Sequence, residues 1–140
     1  MRRRQARECA LQSLFQIHIG EVPPAEAIRY VLEEASGDLD LDFLNKLVMG
    51  TYEHRSAIDD LIRQYSIGWE LDRMPAVDLT VLRLAVFEML YETETPPKVV
   101  INEAIELAKA FSTEESGKFV NGILGKMLPD LERLRGSVNG

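Results

Sequence analysis

The chain has few of the residues that most often carry catalysis, metals or cross-links. Its single cysteine, Cys9, cannot close an internal disulfide, which suits a reducing compartment. His18 and His54 stand far apart, and with one thiol they do not make a typical structural zinc site. No run of about 18 uninterrupted apolar residues occurs, so no membrane-spanning helix is expected. The N-terminus is basic, but Glu8 and Gln12 interrupt any apolar segment behind it, which argues against a secretory signal. There is no GxSxG elbow, no phosphate-cradling glycine loop and no HExxH. No segment alternates for long with period two, so no sheet is expected, and no internal repeat or low-complexity tract is present.

What is present is helical periodicity. At 140 residues the chain fits one domain, residues 1–135, able to bury roughly 70% of its unfolded surface, with residues 136–140 as a frayed tail. A first helix is expected over 3–19, with Ala10, Leu14 and Ile17 inward and Gly20 as its C′ residue. Pro24 opens a second, over 24–35, followed by a loop at 36–38. Asp40 or Asp42 caps a long third helix reaching Tyr65, with Leu44, Leu47, Val48, Thr51, Ile58, Leu61, Ile62 and Tyr65 on its stripe. A connector over 66–75 holds Trp69, expected to pack. The helix over 75–91 is apolar nearly all round, as a central helix should be.

Two amphipathic helices complete the chain. Val100, Ala104, Leu107, Ala108 and Phe111 line one; Phe119, Val120, Ile123, Leu124 and Met127 line the other. Ser112 and Glu115 between them have the spacing of a capping box, and Pro129 stops the second. The expectation is an all-α fold of six or seven helices with short loops.

The formal net charge of −7 argues against indiscriminate nucleic-acid binding. Its distribution points elsewhere: Arg2, Arg3, Arg4 and Arg7 crowd the start, while most of the acid lies further along. Guanidinium forks match phosphate oxygens and stay charged. Four such groups on a helix start, which already carries partial positive charge, need an anion to balance them. That anion is RNA or another polyanion, unless the cluster is only a solubilising tail. Phe111, Phe119 and Tyr65 are candidates for stacking on unpaired bases, with core packing the competing role for each. Lys118 precedes Phe119 in the first turn of its helix, where backbone N–H groups favour phosphate. Arg83, between Leu82 and Leu84, must reach the surface or an acidic partner. Cys9 reads as a packing cysteine, and Glu103 with Glu106 as a solvated face paired to Lys109.

The run VINEAIELAKAF, followed by SGKFVNGILGK, resembles the C-terminal core of the NusB family of transcription antitermination factors. The opening RRRQARECALQSLF is similar to that family's N-terminal helix, so the likeness spans nearly the whole chain. It implies two small helix bundles and no catalytic activity. It also implies, in the cytoplasm, binding of boxA single-stranded RNA together with the ribosomal protein NusE, within an RNA polymerase antitermination complex that serves ribosomal RNA operons. The family's RNA contacts fall on Arg4, Arg7, Tyr65, Arg83, Phe111, Glu115, Lys118 and Phe119, and Asp78 falls on the NusE surface. Gln5 interrupts the arginine run and leaves Arg2 and Arg3 outside the contact set. Two other readings remain at this point: a relative of the RNA-binding domain of an rRNA methyltransferase, and a self-associating helical protein. A homodimer that hides the arginine surface is compatible with the first reading.

Overall fold

The structure, a computed structural model, describes residues 2–35 and 37–139. Among them are eight α-helices and two short 3₁₀ turns, and no strand. The helices are α1 (Arg2–Gly20), α2 (Pro24–Glu34), α3 (Leu41–Glu53), α4 (Arg55–Tyr65), α5 (Ala76–Tyr91), α6 (Pro97–Phe111), α7 (Glu114–Met127) and α8 (Leu131–Asn139). The 3₁₀ turns are Leu71–Arg73 and Leu128–Asp130.

Helices α1, α2 and α3 pack on one another as one bundle. Helices α4, α6, α7 and α8 gather on α5, which also touches α1 and α3 and so belongs to both groups. Its sequence explains that place. Twelve of its sixteen residues are buried, a composition that only a helix surrounded on all sides can use. Leu82, Leu84, Met89 and Leu90 are among its largest fully buried side chains. Each stabilises the core by roughly 1.5–3 kcal/mol relative to exposure.

The expected long third helix is two helices. It breaks at His54, which takes φ −100° and ψ 13° between α3 and α4. The cause is the aromatic end of α5. Phe87 presses against Gly50 so closely that a Cβ there would lie 2.1 Å from the ring. The His54 ring then packs 4.2 Å from Tyr91. Most of the expected stripe survives the bend: Leu44, Leu47, Val48, Thr51, Ile58 and Ile62 are buried, while Leu61 and Tyr65 are only partly so and pack against the core's edge.

Three other boundaries differ from expectation. Gly20 remains helical, and Glu21, with φ 53°, makes the left-handed exit from α1. Helix α7 is capped by Thr113, whose hydroxyl accepts from the Ser116 N–H at 3.1 Å; Ser112 and Glu115 do not form the capping box. Residues 136–139 continue α8 rather than fraying; Gly140, the end of that expected tail, lies outside the described residues, as does Ser36 of the expected loop.

A polar contact crosses the interior. The Arg7 fork on α1 donates from Nε to Glu88 Oε1 at 2.9 Å and from Nη2 to Glu88 Oε2 at 2.5 Å. Both side chains are more than nine-tenths buried, and Phe43 of α3 lies under the guanidinium, 5.2 Å from its ring centre. Removing one partner strands the other charge in the core. Glu88→Ala is therefore expected to cost about 3–5 kcal/mol, read as a lower denaturant midpoint. A loss below about 1 kcal/mol, the range of exposed pairs, would contradict this role.

Candidate nucleic-acid interface

The expected site residues lie on α1, α4, α5, α6 and α7. At the N-terminus, the crowded arginines are each matched by an acid of the same chain. Arg2 meets Asp38 at 3.0 Å and Arg3 meets Asp40 at 3.7 Å. Arg4 reaches Glu103 on α6, with Nη2 to Oε1 at 3.1 Å and Nε to both carboxylate oxygens. The electrostatic argument for an external anion is thus met internally. These partners differ in what they permit. The Arg4 side chain is more than half exposed, so its guanidinium stays open to solvent beside the largely covered Glu103 carboxylate. Arg7 is 6% exposed with its fork taken by Glu88, so it is a scaffold residue and not an open phosphate ligand. That is a correction to its expected role as an RNA contact, and its cause is burial against α5.

The Arg4–Glu103 contact lays the start of α1 along α6. Phe111 ends α6 eight residues beyond Glu103, about 12 Å along the axis at 1.5 Å per residue. Its ring is 37% exposed and faces a groove with Leu11, Phe15, Tyr30 and Val77. Phe119, on the far side of the capped turn, turns toward a different neighbour. It is half-buried and meets Trp69 edge to face, 5.3 Å between centroids at 66°. Lys118 and Glu115 are exposed in the same turn and pair at 3.4 Å. Arg4, through Glu103, and Phe111 are thus both set on α6, while Phe119 turns to Trp69, and neither ring is sealed.

Tyr65 and Arg83 are more constrained. The Tyr65 hydroxyl donates to Asp130 at 2.6 Å, which holds its proton more tightly than in an ordinary phenol, and Arg133 lies beside it. Arg83 is bidentate to Asp59 of α4, at 2.7 and 2.9 Å, and sits 3.2 Å from His18 Nδ1. Partial burial, then Arg83, holds His18 below its ordinary range, so it is neutral at pH 7. His18, Asp59 and Arg83 rim an open cleft of about 790 Å³; Tyr65 lies outside its lining. Asp78 also departs from expectation. It is 3% exposed in the first turn of α5, with Oδ1 unpartnered, so it is not a surface acid. Cys9 is buried, and burial with Glu8 nearby raises its thiol pKa, which leaves it protonated and unreactive.

Glu103 and Trp69 escaped the sequence reading. Glu103 resembled a solvated acid because its partner lies 99 residues away. Trp69 was expected to pack, yet is 52% exposed. The only sequence signal for it was Gly68 before it, a turn residue that would carry the indole outward.

The NusB family model matches residues 4–129. The transcription antitermination protein NusB of Desulforamulus reducens is 50% identical over 129 residues, covering 91% of this chain and 90% of that protein. Its counterpart in Bacillus pumilus is 46% identical over 133 residues, covering 95% of this chain and 99% of that protein. A crystal structure of the antitermination factors NusB and NusE in complex with double-stranded RNA superposes with a TM-score of 0.82 at 29% identity, covering 89% of this chain and 94% of that one. With an all-helical fold and these likenesses over nearly its whole length, this chain belongs to the NusB family.

Proposed function

We propose that this protein is a transcription antitermination factor. It binds a boxA-type single-stranded RNA segment together with the ribosomal protein NusE and joins the antitermination complex on RNA polymerase. There it promotes processive transcription of ribosomal RNA operons. It acts in the cytoplasm as an adaptor and catalyses no reaction. The observation that carries this reading is the Arg4–Glu103 contact, which sets an exposed guanidinium on the helix that ends in Phe111. The names of its relatives, and the solved complex of a NusB with NusE and RNA, support the same reading.

In this proposal Arg4, Arg83 and Lys118 meet phosphates, and Phe111, Phe119 and Tyr65 meet bases. Glu115 shapes the turn through Lys118 or accepts from base amino groups. Arg7 holds α1 in place. NusE is assigned to the face at the start of α5. There Val77 opens onto the groove of Phe15 and Tyr30, and Asp78 lies just beneath. A homodimer covering Arg4 would compete with RNA.

Three phosphate-facing cations give log K against log salt a slope of about −2, at ~0.7 per contact on a single strand. Arg4→Gln is expected to weaken binding alike for all sequences and to flatten that slope by ~0.7. An unchanged slope would remove Arg4 from the interface. Phe119→Ala is expected to lose ~1–3 kcal/mol of affinity with little loss of salt dependence, because stacking carries no charge. Both are read by gel-shift titration with boxA RNA. Failure of the unaltered protein to retard that RNA, with and without NusE, would overturn the proposed function.

A further inference from the structure

A tryptophan side chain is usually well buried, because its area is worth more inside than outside. Trp69 is 52% exposed, and Ile67, two residues before it, is 85% exposed. This placement is built by the backbone. The Trp69 N–H donates to the Ser66 carbonyl at 2.9 Å, closing a four-residue turn. Gly68, its third residue, has φ +90°, as a type II turn requires at that position. The turn is anchored on both sides. Ser66 is buried, with its hydroxyl donating to the Ile62 carbonyl at 2.7 Å, and Leu71 is buried just beyond. Trp69 is therefore held outward on a fixed support.

Its neighbour completes the geometry. The indole meets Phe119 at 66° with centroids 5.3 Å apart, so the two rings make an open corner. A flat aromatic molecule laid on one ring face finds the edge of the other beside it, which is a favourable edge-to-face contact. Lys118, three-quarters exposed in the same helix turn and paired with Glu115 at 3.4 Å, supplies a cation near this end of α7.

We infer that Trp69 and Phe119 form a base-stacking corner that takes one unpaired base of the bound RNA strand, with Trp69 as its larger platform and Gly68 as its positioning residue. This rests on the RNA-binding reading above. It extends the interface from the α6–α7 turn onto the connector between α4 and α5.

Trp69 is the only tryptophan in the chain, so intrinsic fluorescence reports on this corner alone. The full-length protein is titrated with boxA-type RNA while emission and gel shift are followed in parallel. Stacking should quench the emission along the same isotherm as the shift. Trp69→Ala should weaken binding about 5- to 150-fold with an unchanged melting temperature, and Trp69→Phe should recover most of the loss. Gly68→Ala, which keeps the indole but strains its turn, should weaken binding and reduce the quench. Emission unmoved by an RNA that the gel shows to be bound, or equal affinity of Trp69→Ala and the unaltered chain, would overturn the inference and leave the wider reading standing. Emission that responds to NusE alone and not to RNA would assign the corner to a protein and overturn it too. No gel shift with the unaltered protein would remove both readings together.

Discussion

The Arg7–Glu88 pair is the contact on which the rest of the arrangement depends. It ties α1, at the edge of one bundle, to α5, the helix both bundles share. A buried pair of this kind adds little net stability over an apolar pair of the same size, because both ions lose their water. Its effect is positional. Sliding α1 by one residue along α5 would break two short hydrogen bonds and leave charge in the core, whereas apolar contacts alone would tolerate such a slip. With α1 fixed, Arg4, one turn earlier, comes to rest against Glu103 of α6. The scaffold charge thus determines where the accessible charge is displayed.

The same cluster of arginines divides into two roles by burial alone. Arg7 is enclosed, stacked over Phe43 and committed. Arg4 is open to solvent on one side of its pair with Glu103. An acidic protein with a few open guanidinium groups, each paired with its own acids, suits selective binding better than tight binding to any polyanion. An incoming strand must displace those acids as well as meet the rings.

Around the α6–α7 turn the aromatic residues follow a related logic. Phe111 and Phe119 leave the turn toward different neighbours, one into the groove of α1 and α2, the other onto Trp69. The turn is held by Thr113, whose hydroxyl fills the cap position one residue beyond the one the spacing suggested. The cap thus has a partly open ring on either side, and in the proposed function these are two separated places for a strand to stack.

The periodicity of apolar residues determined by itself that this chain is all-helical and that the helix expected over 75–91 is central. These are local properties, since a helix buries the face its own spacing defines. The likeness to a family was legible for the same reason, because two contiguous blocks carry it. Only the tertiary structure decided which arginine is buried. Arg4 and Arg7 lie three residues apart, and their fates follow from acids 99 and 81 residues away. It alone decided the break at His54, which follows from rings on α5 pressing on Gly50, and the burial of Asp78. It also turned Trp69 outward, through a turn whose left-handed glycine the spacing of apolar residues does not record. Spacing specifies which face of a helix seeks the core. Which charge is desolvated depends on what that face meets, and that is fixed only when the helices pack.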